Sequence, residues 1–253
     1  MTDVPVRIEE ERGVVSVTMS SGANALSERL VEALRGAVSR LRDDGAPPLL
    51  LRSAHPTLFC PGWDLKRLAG AGYDDVRRFL ENFNALILDL FSYPGPSIAL
   101  IDGHAVAGGC LLAVACDFRV MATGQPRIGL SEVNLGVPVP AGSVEMLRAR
   151  LSPAVVEEML FLGDGYPAQR AAELGVVQRA KAAEGLEAAA AAEIRRLSGK
   201  PKAAYARTKA FLFQGVWRRM RNVGSEADAV FLESWFDPET QERLSSITHA
   251  LGR

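Results

Sequence analysis

The sequence predicts an α/β protein in which short apolar strands alternate with amphipathic helices. The region 97–121 gives the clearest signal, because an apolar run interrupted at Asp102 and Gly103 passes into a second apolar run opened by Gly108 and Gly109. This pattern is typical of a buried strand that turns into a buried helix. A hydrophobic content of 48% also suits a soluble α/β protein.

The N-terminal part predicts a hairpin followed by a β-α-β unit. Short β-branched runs at 4–8 and 14–19 flank the charged turn EEERG. Region 27–42 predicts a helix with an N-terminal cap at Ser27. Its apolar stripe consists of Leu30, Leu34, Val38 and Leu41. Residues 49–53 predict a buried strand, and 59–68 predicts a loop that leads into a helix.

The rest of the chain predicts mainly helices. Region 73–91 is amphipathic and ends before two prolines. Short strands are expected at 119–121 and 176–177. Further helices are expected at 141–150, 153–162, 168–173, 185–197, 202–213, 225–236 and 238–251. The section that holds the last three, 202–251, carries the aromatic residues Phe211, Phe213, Trp217, Phe231, Trp235 and Phe236. Such a density predicts packing against more than their own hairpin, although ordinary core packing is the alternative.

Composition excludes several classes of function. A net charge of −1 over 253 residues argues against a nucleic-acid-binding surface. No apolar run approaches the ~20 residues of a membrane span, and the N-terminus lacks a signal pattern, so we expect a cytoplasmic protein. Cys60, Cys110 and Cys116 show no metal-ligand spacing, which predicts small buried hydrophobes and no metal site.

The glycine pair has a chemical use. Glycine lets the backbone approach a ligand closely, and the first N–H groups of a helix are unpaired and lie at the positive end of its dipole. The junction at Gly108 and Gly109 is therefore a candidate oxyanion or phosphate site. A tight turn that needs glycine only for steric reasons is the alternative.

Three stretches, in this order, resemble motifs of the crotonase superfamily, the enoyl-CoA hydratase/isomerase family. They are LFCPGWDLKRL at 58–68, the run 97–121 containing AGGCLLAVACD, and IGLSEVNLG at 128–136. Asn24-Ala25-Leu26 adds the family's NAL element. The resemblance implies a ββα spiral core with an acyl-CoA site over 1–195. It also implies a C-terminal helical region over 196–253 that builds trimer contacts, and hence a homotrimer or hexamer.

The resemblance assigns roles to individual residues. The backbone N–H groups of Trp63 and Gly108 are expected to stabilise the thioester oxygen as it gains negative charge. Glu132 is expected to be the base. Its apolar neighbours in sequence predict a raised pKa. The coenzyme A moiety is expected to contact Ala25, Trp63, Asp64, Leu65, Lys66 and Gly108. It belongs to the substrate, so no separate cofactor is expected.

Leu111 departs from the hydratases of the family, which carry a second glutamate there. Water addition uses two carboxylates, whereas moving a proton from C2 to C4 needs one base. The same stretches look more like the Δ3,Δ2-enoyl-CoA isomerases, which favours isomerisation of 3-enoyl-CoA to trans-2-enoyl-CoA. Hydration, decarboxylation or thioester hydrolysis stays open if Glu145 or a bound water replaces the missing acid. A non-catalytic acyl-CoA-binding protein is a further alternative.

Two further residues have expected roles outside the reaction itself. Asp117 is expected to be structural. The Trp63 indole is expected to narrow the pocket or to cap the adenine side.

Overall fold

A computed structural model describes residues 4–223 and 225–251 of the chain. The strands are β1 (Val6–Glu11), β2 (Val14–Met19), β3 (Leu49–Ser53), β4 (Leu58–Cys60), β5 (Ser97–Ile101), β6 (His104–Val106), β7 (Phe118–Ala122), β8 (Arg127–Gly129), β9 (Gly165–Pro167) and β10 (Arg179–Lys181). The helices are α1 (Glu28–Asp43), α2 (Leu65–Leu68), α3 (Tyr73–Phe91), α4 (Gly108–Ala115), α5 (Glu132–Leu135), α6 (Ala141–Arg150), α7 (Pro153–Leu162), α8 (Ala168–Glu173), α9 (Ala183–Ser198), α10 (Lys202–Asn222), α11 (Ser225–Trp235) and α12 (Pro238–Leu251).

The strands form two sheets. The large sheet has the order β1-β2-β3-β5-β7-β10, antiparallel between β1 and β2 and parallel elsewhere. Strand β5 is buried along its whole length, as expected for a parallel strand covered on both faces. One face packs against α9, through Leu186, Ala190 and Ile194. The other face packs against the main core, which contains α4.

The small sheet has the order β4-β6-β8-β9 and determines where the site lies. Strands β4, β6 and β8 are parallel, and each leads directly into one of the three motif stretches. Because parallel strands end at the same edge, this sheet brings the Trp63 loop, the Gly108 turn and the Glu132 segment together. All four strands have only three residues, too few to show a periodicity, and the sequence did not predict them.

Two strand predictions need correction. The turn predicted at EEERG is shorter, because Glu9–Glu11 belong to β1, an edge strand whose outer residues are exposed. Solvent on that side accommodates their charges. The strand predicted at 176–177 is wrong. Val176 and Val177 are buried, and the Val176 carbonyl accepts a hydrogen bond from Arg119 Nε at 2.6 Å. The strand β10 begins at Arg179 instead.

Helix α1 confirms the predicted cap and stripe. The Ser27 hydroxyl accepts a hydrogen bond from the Leu30 N–H at 3.3 Å, which satisfies one of the unpaired donors of the first turn. The predicted apolar residues are all buried. The 19-residue helix α3 packs against α1 and against α4, so these three helices form the layer behind the site.

Asp117 confirms its predicted structural role. Its carboxylate accepts hydrogen bonds from the Ser97 N–H at 3.1 Å and the Tyr205 hydroxyl at 2.9 Å. It also pairs with Lys209 at 2.7 Å and Arg150 at 3.0 Å. Burial opposes ionisation, but these two cations outweigh it and lower the pKa of Asp117. The network ties α6 and α10 to the start of β5.

The C-terminal helices pack on the rest of the chain as the aromatic residues predicted. Phe213, Phe231 and Trp235 are buried in the main core, whereas Phe211 is 78% exposed. Helix α11 contacts α3, and α12 contacts α2 and α5. The division into 1–195 and 196–253 stays a prediction, and its boundary lies inside α9. Among the described residues, no helix is long and apolar enough to cross a membrane.

Candidate active site

The loop that carries Trp63 is fixed by a short parallel bridge to Leu26. The Leu26 N–H donates to the Gly62 carbonyl at 2.8 Å, and the Asp64 N–H donates to the Leu26 carbonyl at 3.0 Å. Because alternate N–H groups of an extended segment point in opposite directions, the N–H of Trp63 faces away from Leu26. It donates to no acceptor within residues 4–223 and 225–251. Asn24 supports the bridge, since its buried amide donates to Ser53 Oγ at 2.8 Å.

The second donor lies at the start of α4. Gly108 is the first residue of that helix, so its N–H has no partner within the helix, and none is found elsewhere in the described chain. A Cβ added at Gly62 would lie 3.4 Å from the Gly108 nitrogen, and one added at Gly108 would lie 3.2 Å from Trp63 Cδ1. The two predicted donor segments are therefore in direct contact.

A cavity of about 260 Å³ opens beside this contact. It is bordered by residues of all three motif stretches and of the C-terminal helices. They are Pro61, Trp63, Leu65, Phe83, Ala107, Gly108, Ser131, Glu132, Asn134, Leu135, Val137, Pro140, Phe231, Trp235 and Ile247. Of these described residues, Glu132 alone carries a side chain that titrates near neutral pH. The cavity therefore combines two free N–H donor segments with one acid.

Glu132 lies at the first position of the short helix α5. Burial raises the pKa of its carboxyl to about 7, although hydrogen bonds from the backbone of Glu132 and Ser131 oppose the shift. Its Oε2 atom is buried and has no hydrogen-bond partner among the described residues. A carboxyl that titrates near neutral pH can both accept and return a proton.

The Trp63 indole forms an aromatic cluster instead of pointing outward. Its ring centroid lies 4.8 Å from that of Phe79 and 5.5 Å from that of Phe83, both on α3. It lies 5.3 Å from Phe231 and 5.6 Å from Trp235, both on α11. The indole thus forms a wall of the cavity, in line with the expectation that it narrows the pocket. Phe231 and Trp235 could be found in the sequence only through the density of aromatic residues near the C-terminus.

The other predicted residues divide between the cavity and its surroundings. Leu65 lines it. Asp64 lies in a neighbouring polar cleft with Arg67, and Lys66 is exposed on α2. Ala25 is half-buried beside the Leu26 bridge. Their contacts with coenzyme A stay predictions.

Two further residues bear on the reaction. Leu111 is fully buried in the main core one turn after Gly108, so no acid occupies that position of α4. Glu145 lies outside the cavity and forms ion pairs with Arg219 of α10 and Arg148 of α6. The structure therefore does not bring Glu145 next to Glu132.

Ala107 is a residue of the site whose backbone conformation is strained. Its φ of 50° and ψ of −122° belong to a region that glycine adopts and other residues avoid. We expect Ala107→Gly to raise the free energy of unfolding by about 1 kcal/mol, measured by urea denaturation. Ala113→Gly, inside the following helix α4, is the control and should lower the free energy of unfolding by about 1 kcal/mol or more. A loss of stability in Ala107→Gly would show that the backbone is not strained there.

Comparisons with known proteins show which family this chain resembles. A sequence profile described as enoyl-CoA hydratase/isomerase matches residues 9–248. The mitochondrial methylglutaconyl-CoA hydratase of Rattus norvegicus is 35% identical over 172 residues, which are 67% of this chain and 54% of that protein. The mitochondrial enoyl-CoA hydratase domain-containing protein 2 of Mus musculus is 34% identical over 174 residues, 68% of this chain and 58% of that protein. The chain thus spans just over half the length of these curated relatives.

Solved structures confirm the predicted fold, the ββα spiral core with a helical C-terminal region. The human mitochondrial Δ3,Δ2-enoyl-CoA isomerase superposes with a TM-score of 0.93 at 24% identity, covering 98% of both chains. The Mtb enoyl-CoA isomerase superposes with a TM-score of 0.80 at 27% identity, covering 91% of this chain and 98% of that one. The curated relatives are named as mitochondrial, so a cytoplasmic location stays a prediction. The profile match over most of the chain and the shared fold show that this protein belongs to the enoyl-CoA hydratase/isomerase family of the crotonase superfamily.

Proposed function

We propose that this protein isomerises 3-enoyl-CoA to trans-2-enoyl-CoA, with Glu132 as the single base. The observation that carries the proposal is that Glu132 is the one acid among the described residues that line the cavity, while position 111 holds a buried leucine. Isomerisation needs one group that removes and returns a proton. Hydration needs a second group to position water, and the cavity provides no second carboxylate.

The reaction follows from the placement of the groups. The N–H groups of Trp63 and Gly108 would both bind the thioester oxygen, which lowers the cost of forming a negative charge on it. Glu132 removes a proton from C2, the electron pair of that C–H bond forms a C1–C2 double bond, and the carbonyl π pair moves to the thioester oxygen, which gives a dienolate conjugated with the C3–C4 double bond. When Glu132 delivers the proton to C4, the electrons return and the double bond lies between C2 and C3. No atom is gained or lost.

Hydration is the second candidate, because curated relatives carry hydratase names. It would require a water held without a second acid, since Glu145 is paired with Arg219 away from the cavity. Decarboxylation, thioester hydrolysis and binding without turnover use the same oxyanion site and are outcomes of the test below. We also propose that coenzyme A enters only as part of the substrate and that the chain assembles as a homotrimer or hexamer.

The test is to incubate the protein separately with a 3-enoyl-CoA and a 2-enoyl-CoA. Isomerisation leaves the mass unchanged and creates the conjugated thioester, which is followed by its absorbance. Hydration adds the mass of one water, and hydrolysis releases free coenzyme A. Neither substrate has a carboxylate to lose, so decarboxylation is assayed separately with a thioester that carries a carboxylate on C2. Conversion of the 3-enoyl substrate at constant mass supports the proposal. Water addition to the 2-enoyl substrate without isomerisation contradicts it, as does binding without turnover.

The pH dependence provides a second measurement. Because burial raises the pKa of Glu132 to about 7, the base is protonated below that pH and cannot remove a proton. We expect isomerase kcat/KM to rise about tenfold per pH unit below neutrality and to level off above pH ~7, since this parameter reports the pKa of the free enzyme. A profile that is flat from pH 5 to pH 8 would contradict the assignment of Glu132 as the base.

A further inference from the structure

We propose that the acyl pocket of this site accepts only uncharged acyl groups and ends at an aromatic wall. Thioesters whose acyl chain carries a second carboxylate should be rejected, as should chains much longer than the pocket. The inference rests on the proposed function in one respect, namely that the cavity holds the acyl part of an acyl-CoA. It adds which acyl groups fit, and its test does not depend on the reaction.

The burial of its lining residues indicates that the cavity has an exposed end and a buried end. Asn134 and Ile247 are exposed, and Pro61 and Leu65 are half-buried. The residues of the buried end are Phe83, Val137, Pro140, Phe231 and Trp235. The coenzyme A part of the bound thioester is large and negatively charged, so it must extend out of the cavity through the exposed end. The acyl chain therefore extends toward the buried end.

The buried end offers nothing that could neutralise a carboxylate. None of the described residues lining the cavity is Lys, Arg or His. The Asn134 amide is at the exposed end and already donates to the Gly163 carbonyl at 2.9 Å. The Trp235 indole N–H has almost no exposed surface and is covered from the cavity. A terminal carboxylate would be buried without a cation or donor, in the same cavity as Glu132.

The aromatic wall limits the size of the acyl group. The indole of Trp63 contacts the rings of Phe83 and Trp235, with centroid distances of 5.5 and 5.6 Å. Helices α3 and α11 are thus joined across the end of the cavity. An apolar cavity of about 150 Å³ holds one benzene, so a cavity of about 260 Å³ that also holds the thioester has room for an acyl group of at most roughly ten carbons.

The first experiment compares binding of octanoyl-CoA and suberyl-CoA by isothermal titration calorimetry, with free coenzyme A as the reference. Both chains have equal length, and suberyl-CoA replaces the terminal methyl group by a carboxylate. Neither has a double bond, so affinity is measured without turnover. We expect octanoyl-CoA to bind at least about 100-fold more tightly than suberyl-CoA, the effect of an uncompensated buried charge. Affinities within tenfold of each other would overturn the inference.

Failure of the proposed function gives a different result. If neither thioester binds more tightly than free coenzyme A, the cavity does not hold an acyl group. The proposed isomerase function and the proposed acyl selectivity are then both wrong. If both bind tightly and equally, an acyl-CoA site stands and only the charge selection fails. The two failures are therefore distinguishable in one titration series.

The second experiment tests the aromatic wall with octanoyl-CoA and hexadecanoyl-CoA. The wild-type protein should prefer octanoyl-CoA, and Trp235→Ala should reduce this preference at least about tenfold by opening the buried end. Trp217→Ala is the matched control. Trp217 is on α10, packs near Phe91 at the end of α3 and does not line the cavity. Its preference should match the wild type. Phe231→Leu, a milder change in the same wall, tests the point if Trp235→Ala does not fold. Equal wild-type affinities for both chains would overturn the size limit.

Discussion

Glu132→Gln is expected to lower isomerase kcat by about 1,000-fold, because the amide cannot accept the C2 proton. The substitution keeps the shape of the side chain, so KM for the 3-enoyl-CoA should change little. The measurement is a steady-state assay at pH 8, where the wild-type carboxyl is ionised. Residual activity above one tenth of wild type would show that another group serves as the base.

The same variant should gain stability, which separates lost chemistry from lost folding. A carboxyl whose pKa is raised to about 7 in the folded chain stays protonated there while the unfolded chain, with a pKa near 4.3, has already released its proton. The wild-type free energy of unfolding therefore falls as pH rises from about 4 to 7. Glutamine does not ionise, so the variant should be more stable than wild type by about 1–3 kcal/mol at pH 8. Urea denaturation at pH 5 and pH 8 measures this.

Glu145→Gln is the matched control for the loss of an acid. Glu145 lies outside the cavity and pairs with Arg219 and Arg148. Exposed ion pairs contribute about 0–1 kcal/mol to stability, and nothing places this acid near the reacting carbons. We expect its kcat/KM to stay within about twofold of wild type. A loss comparable to that of Glu132→Gln would support a two-carboxylate mechanism.

The sequence predicted the parts of the site that depend on local pattern. The glycine pair before an apolar run located the start of α4, and Ser27 located the start of α1. Glu132 was recognisable because it is a single acid in an otherwise neutral motif. Its raised pKa also followed from apolar surroundings. The helix starts depend on neighbours within a few residues along the chain, whereas the pKa of Glu132 also depends on its burial in the folded cavity.

The parts that were missed depend on distant contacts or on very short elements. Strands β4, β6, β8 and β9 each have three residues, so pairing with neighbours, not periodicity, defines them. Phe231 and Trp235 reach the Trp63 indole only because α11 folds back on α3. No spacing within the sequence encodes that meeting. The position of Glu145 away from the cavity likewise depends on α10, which provides Arg219.

Gly109→Ala should damage both stability and catalysis, because this residue is the point where α4 touches β4. A Cβ there would lie 2.0 Å from the Cys60 carbonyl oxygen and 2.8 Å from its carbon, distances that no packing tolerates. Since both atoms belong to the backbone, the clash can be relieved only by moving the helix away from the strand. We expect the free energy of unfolding to fall by about 3 kcal/mol, as measured by urea denaturation.

The catalytic loss follows from the residues next to this contact between α4 and β4. Gly108 directly precedes Gly109, and Trp63 follows Cys60 by three residues, so separating α4 from β4 moves the two N–H donors apart. Losing one donor costs about 100-fold or more in kcat, and we expect that loss in the folded fraction of Gly109→Ala. Gly36→Ala is the control, because Gly36 is exposed on α1 and an added Cβ meets nothing within 4 Å. It should keep full activity and gain up to about 1 kcal/mol. A folded Gly109→Ala with wild-type kcat would contradict the paired-donor arrangement, since the geometry leaves no way to admit the methyl group and keep both donors in place.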